Sequence, residues 1–140
     1  MTGGSCGSSI KVTQTSPRLL VVDDSAAIRD SVAQMLKFSG YQTSKADGAD
    51  EARVLVAHEP PSLLITDLNM PFGNGWELIT YCHAHHPELP ILIVSGEPPG
   101  ARPEIERHAK GFLSKPFNFH ELLAEVARLL PAHTAFAAAH

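Results

Sequence analysis

Five residues able to do chemistry stand at the downstream ends of short apolar runs. Asp23 and Asp24 close "RLLVVDD", Asp67 closes "SLLITD", Ser95 closes "PILIVS", and Lys115 follows "GFLS". The three aspartates bring three negative charges and Lys115 returns one. Like charges gathered at one place are costly unless a proton or a cation intervenes. A divalent cation cancels the remainder, and an all-oxygen donor set that keeps some waters suits Mg²⁺. Beside such a cation a carboxylate can meet a phosphoryl donor. Attack on phosphorus then gives an acyl phosphate. An ammonium and a hydroxyl nearby spread the charge of the transferring group. Asp67 is the natural nucleophile, Asp23 and Asp24 the natural cation ligands, and Lys115 and Ser95 the natural partners of the phosphoryl oxygens.

That chemistry requires elements that bring the five together. Apolar runs alternate with stretches of helical spacing. "RLLVVDD" reads as a buried strand. In "SAAIRDSVAQMLKFSG", Ser25 caps a helix, Ile28, Val32, Met35 and Leu36 form its stripe, and Gly40 ends it. "YQTSKA", "SLLIT", "PILIVSG" and "GFLS" read as further strands. "ADEARVLVAHEPP", "WELITYCHAHHP" and "NFHELLAEVARLL" read as helices, and Pro-rich "EPPGARPEIERHAK" as a weak one. The result is five βα units in series. Strands apolar on both faces belong in a parallel sheet covered on each side. Right-handed crossovers place helices on both faces. The fold class is therefore α/β, a doubly wound sheet of five parallel strands with five helices. Such sheets carry their working site at the carboxyl ends of the strands, where the five residues fall.

Composition bounds the rest. With 140 residues, 44% of them hydrophobic, the chain suits one domain with a real core. The net charge of −4 and the lack of a basic block speak against direct nucleic-acid binding. Two distant cysteines, Cys6 and Cys82, form no disulfide framework and suit a reducing compartment. No apolar stretch has the length of a membrane span, and "MTGGSCGSSIKVTQTSP" lacks a signal-peptide core. The expected location is cytoplasmic. Residues 1–17 read as a flexible leader, 18–130 as the folded core and 131–140 as an Ala-rich tail.

Together "VVDDS", "ITDLNMPFGNGWEL", "IVSG" and "FLSKPF" resemble the receiver domain of two-component response regulators, over the whole predicted core. Each motif alone is weak, but four in this order are specific. The resemblance implies the flavodoxin-like strand order 2-1-3-4-5. It makes Asp67 the phosphoacceptor, Asp24 a direct Mg²⁺ ligand and Asp23 a ligand through water. It gives Asn69 the metal-binding backbone carbonyl, and makes Ser95 the switch hydroxyl and Lys115 the phosphate-sensing lysine. Phe112 is the aromatic that turns inward on switching, and the Lys115–Pro116 bond is expected to be cis. Gly96 suits the small residue beside the phosphoryl group, and Gly75 a turn before the third helix. Asn69 and Glu97 resemble the pair that flanks the attacking water in the chemotaxis regulator, so they tune slow self-dephosphorylation. The implied partners are a histidine kinase or histidine phosphotransfer protein, as in a phosphorelay, and an unknown downstream protein target.

There are departures from the family pattern. The stretch between Ser95 and Lys115 is short and holds Pro98, Pro99 and Pro103, so the fourth helix should be short or displaced. Ser95 replaces the commoner threonine and Phe112 the commoner tyrosine. No helix-turn-helix or second domain follows the fifth helix, so signalling is expected to run through a protein partner, whether the receiver stands alone or is part of a longer protein. Two other readings compete. One is a receiver-fold interaction module that does not switch. The other is a Mg²⁺-dependent hydrolase, which would need a substrate-covering cap that no insertion supplies. Singly, the loaded residues have plainer explanations: acid pairs cap helices, and loop hydroxyls and surface lysines are common. Cys82 and His86 share a helix face at a spacing that suits zinc, but no further ligands stand near in sequence.

Overall fold

A computed structural model describes residues 17–68 and 75–130. The leader read at 1–17, apart from Pro17, and the tail read at 131–140 lie outside the described residues, as does Asn69. In chain order the elements are β1 (Arg18–Val22), α1 (Ala26–Phe38), β2 (Gln42–Ala46), α2 (Ala49–His58), β3 (Leu63–Asp67), α3 (Gly75–His85), β4 (Ile91–Ser95), α4 (Pro103–Glu106), β5 (Gly111–Ser114) and α5 (Phe119–Leu129). The strands form one sheet in the order β2-β1-β3-β4-β5, with every pairing parallel. This is the doubly wound order expected from the sequence.

Strand periodicity explains the two-sided core. Successive side chains point to opposite faces. Leu20, Val22, Leu64, Ile91 and Ile93 pack with residues of α2, α3 and α4, such as Val56, Leu78 and Ile105. Leu19, Val21, Leu63, Ile65, Leu92 and Val94 pack on the other face with Val32 and Leu36 of α1 and Leu122 and Val126 of α5. Continuous apolar runs were needed because both faces are covered.

The helix ends follow local chemistry. Ser25 accepts the Ile28 N–H and caps α1. Past its other end Gly40 adopts φ 97°, while the N–H groups of Gly40 and Tyr41 return to the carbonyls of Lys37 and Leu36. That is a Schellman closure, which favours glycine at the left-handed position. Asn118 and Glu121 cap each other's backbone at the start of α5, a reciprocal capping box. The fourth helix is short, as its prolines require: α4 has four residues, with Pro103 in its first turn.

Cys82 lies fully buried on α3, and burial pushes its thiol up to about 11. The thiolate is the reactive form. In a Cys6→Ser background, Cys82 should therefore resist iodoacetamide at about pH 8 until the protein is unfolded. Mass spectrometry reads this directly, and rapid labelling of the folded protein would contradict the packing of α3. The same burial removes Cys82 as a zinc ligand at the protein surface. The acids that follow β1 and end β3 form the one group of three or more potential ligands found among the described residues.

Candidate functional site

Parallel pairing brings four strand tips to one edge of the sheet. Val22 lies opposite Thr66, Asp67 opposite Val94, and Ser95 opposite Ser114, one residue before Lys115. The acid pair following β1 and the acid ending β3 therefore stand side by side, and one carboxylate oxygen from each of Asp23, Asp24 and Asp67 lies within 4.8 Å of the others. Asp23 and Asp67 are buried, at 4% and 7% exposure, whereas Asp24 is exposed.

Lys115 joins the two buried acids. Its Nζ donates to Asp67 Oδ2 at 2.7 Å and to Asp23 Oδ2 at 3.1 Å. Burial by itself pulls the ammonium down, but the hydrogen bonds and charges of Asp67 and Asp23 outweigh it, and the net shift is upward. The lysine is thus held cationic. Its backbone N–H donates to the Ser95 carbonyl at 2.9 Å, and the Lys115–Pro116 peptide bond is cis.

The remaining contacts orient the acids. Asp23 Oδ1 accepts the Ser25 N–H at 2.9 Å, so one carboxylate both faces the lysine and stabilises the entry to α1. Arg29 reaches back from α1 to the Asp23 carbonyl at 2.9 Å. Thr66 donates its hydroxyl to the Asp67 carbonyl. Ser95 is fully buried, and its Oγ accepts the Glu97 N–H at 3.0 Å.

These donors fit a small hard cation. All are carboxylate oxygens, and together they leave excess negative charge beside one lysine. At Mg–O distances of about 2 Å, oxygens on opposite sides of one ion stand roughly 4 Å apart, close to the spread of this cluster. A Cβ added at Gly96 would meet nothing within 4 Å, so space remains next to Ser95.

The receiver-domain model of response regulators matches residues 19–127, which contain every one of these groups. The chain belongs to the response regulator receiver family. The receiver is 34% identical over 120 residues to the response regulator MprA of Mycobacterium leprae, covering 81% of this chain and 50% of that protein. It thus spans about half the length of the MprA relatives it matches. Among solved structures it is similar to the chemotaxis response regulator CheY4 of Vibrio cholerae, with 30% identity and a TM-score of 0.77, over 82% of this chain and 99% of that one. The receiver domain of NtrX from Brucella abortus is similar too, with 32% identity and a TM-score of 0.73, over 81% and 98% of the two chains. Receivers of this family are signalling proteins of two-component systems, and no described helix here is long and apolar enough to cross a membrane.

The receiver's structure brings Asp23, Asp24, Asp67 and Lys115 together at the carboxyl ends of the strands, with Ser95 on the adjoining strand. Phe112 is half-buried on β5, beside Ile93 and against the core that holds α2, α3 and α4. Gly75 differs from expectation. It is the first residue of α3, and its φ lies outside the left-handed range, so no turn conformation demands glycine. Space does: a Cβ there would fall 1.7 Å from the Asp67 carbonyl oxygen.

Sequence reasoning also missed the partner of Glu97. Arg102 donates Nε to Glu97 Oε1 at 3.0 Å and Nη2 to Oε2 at 3.3 Å. Glu106 then accepts the N–H groups of Gly100 and Arg102 at 2.8 and 3.0 Å. These links tie the whole Pro-rich segment to itself. The available signal was an acid, a base and an acid of compatible reach around three prolines, which no helical or strand period reveals.

Proposed function

We propose that this receiver takes a phosphoryl group onto Asp67 from a histidine kinase or histidine phosphotransfer protein, with Mg²⁺, and that the modification switches its binding to a downstream protein. The observation that carries the reading is the Lys115 ammonium seated between two buried carboxylates, with a third carboxylate beside them. Asp23 and Asp24, with the backbone carbonyl of Asn69, would hold the ion, and Asp67 would share it. A bound Mg²⁺ would neutralise charge on the phosphoryl oxygens.

The remaining steps belong to the chain's own groups. An Asp67 oxygen attacks phosphorus in line. The new O–P bond forms as the donor's N–P bond breaks, and the imidazole leaves with the electron pair and is protonated. The Asp67 carboxylate gives up its own charge on becoming an acyl phosphate, so Lys115 exchanges a carboxylate oxygen for a phosphoryl oxygen. The Ser95 hydroxyl turns toward the same group, and Phe112 on the adjoining strand moves inward into the space so released. Slow hydrolysis reverses the state. Water attacks phosphorus, the Asp67 O–P bond breaks, and the carboxylate returns as phosphate leaves. Glu97 and Asn69 flank the water's path and set its rate.

Incubation with acetyl phosphate and Mg²⁺, followed by mass measurement, tests the reading. One added phosphoryl group is expected, and it should disappear with a chelator or in Asp67→Ala. The four-residue α4 favours a second reading, a receiver-fold interaction module that does not switch. A complete absence of adduct at any donor concentration would decide for that one.

A further inference from the structure

We propose that Arg102 is a positioning residue for Glu97 and lengthens the life of the phosphorylated state. The proposal rests on Asp67 being the phosphoryl acceptor and Glu97 flanking the attacking water. Glu97 follows Ser95 by two residues, and its backbone N–H already engages the Ser95 hydroxyl. Its carboxylate is gripped in the fork of Arg102, one nitrogen to each oxygen. A forked guanidinium fixes a carboxylate's plane as well as neutralising it, which a lysine cannot reproduce.

The fork has a firm base. Arg102 stands immediately before α4, and its backbone N–H is anchored on the Glu106 carboxylate. Buried Ile105 pins the same short helix to the core. The guanidinium is therefore presented from a tethered segment. Glu97 and Arg102 are each about one-third exposed in their side chains, so the pair sits where water reaches it.

The chemical consequence has a sign. A carboxylate that accepts a proton from, or orients, a water attacking phosphorus must be basic and able to reach that water. The two-point grip of Arg102 fixes the carboxylate's plane and limits its reach toward that water. Arg102 thereby restrains hydrolysis. Removing the guanidinium releases Glu97 from this fork, while the anchoring N–H, which belongs to the backbone, is retained.

The test follows loss of the phosphoryl group from the full chain, loaded with acetyl phosphate and Mg²⁺ and then freed of donor. Arg102→Ala should lose it about two- to fivefold faster than wild type, the reach of a partly exposed ion pair. Arg102→Lys should fall between the two. In a Glu97→Gln background, Arg102→Ala should change nothing, an outcome that general loosening of the segment would not produce. Unchanged or slower hydrolysis in Arg102→Ala, or an equal acceleration in the Glu97→Gln background, overturns the assignment of Arg102 alone. A wild-type chain that never gains a phosphoryl group overturns the acceptor reading, and this proposal with it.

Discussion

Lys115→Ala should take up phosphoryl groups roughly 10²-fold more slowly than wild type, the scale on which loss of one placed electrostatic partner slows a reaction. The acceptor remains in this variant, so adduct should still form at long times, which sets it apart from Asp67→Ala. The cause lies in the arrangement of charge. Lys115 contacts both Asp67 and Asp23, and it is the one cation within salt-bridge distance of either acid among the described residues. Its loss leaves three gathered carboxylates with less compensation as a donor carrying further negative charge approaches. A time course of intact mass at fixed acetyl phosphate and Mg²⁺ measures the rate. A rate within twofold of wild type would remove Lys115 from the proposed chemistry and leave it a structural ion-pair partner.

Gly75→Ala should destabilise the domain by about 3 kcal/mol or more, at or beyond the top of the usual overpacking range. A Cβ at this position would meet the Asp67 carbonyl oxygen at 1.7 Å, the Asp67 carbonyl carbon at 2.8 Å and the Leu68 Cα at 2.9 Å. These are backbone atoms, so no side chain can swing aside to relieve the contact. The Gly75 N–H donates to the Leu68 carbonyl at 3.1 Å, which holds the start of α3 close against the end of β3. Relief would therefore move either the first turn of α3 or the peptide that carries Asp67. The midpoint of thermal unfolding should fall by roughly 10 °C or more. On the acceptor reading, phosphoryl uptake should also decline in whatever fraction remains folded. A melting point within about 2 °C of wild type would mean that the β3–α3 junction is looser than its geometry implies.

Much of this was legible in the sequence because its causes are local or periodic. Val21 and Val22 before Asp23, and Leu63 to Thr66 before Asp67, mark strands buried on both faces that end in an acid. Ser25, Gly40 and Asn118 mark helix ends through side-chain caps and a left-handed closure, each set by neighbours a few residues away. Gly75 was noticed for the wrong reason. A glycine's usual freedom suggested a turn, whereas the demand came from a backbone eight residues earlier in the chain.

The sequence by itself determined the five βα units, the two-sided burial of β1, β3 and β4 and the placing of each loaded residue at a strand's downstream end. Continuous apolar runs, helical spacing and the chemistry of caps act within a few turns or one strand, so they can be read along the chain. Only the tertiary structure decided the 2.7 Å contact of Lys115 with Asp67, the fork of Arg102 on Glu97 and the closeness of Gly75 to the Asp67 carbonyl. Those depend on where separate elements come to rest against one another. That placement is fixed by strand register and core packing summed over the whole domain, and no short stretch of residues contains it.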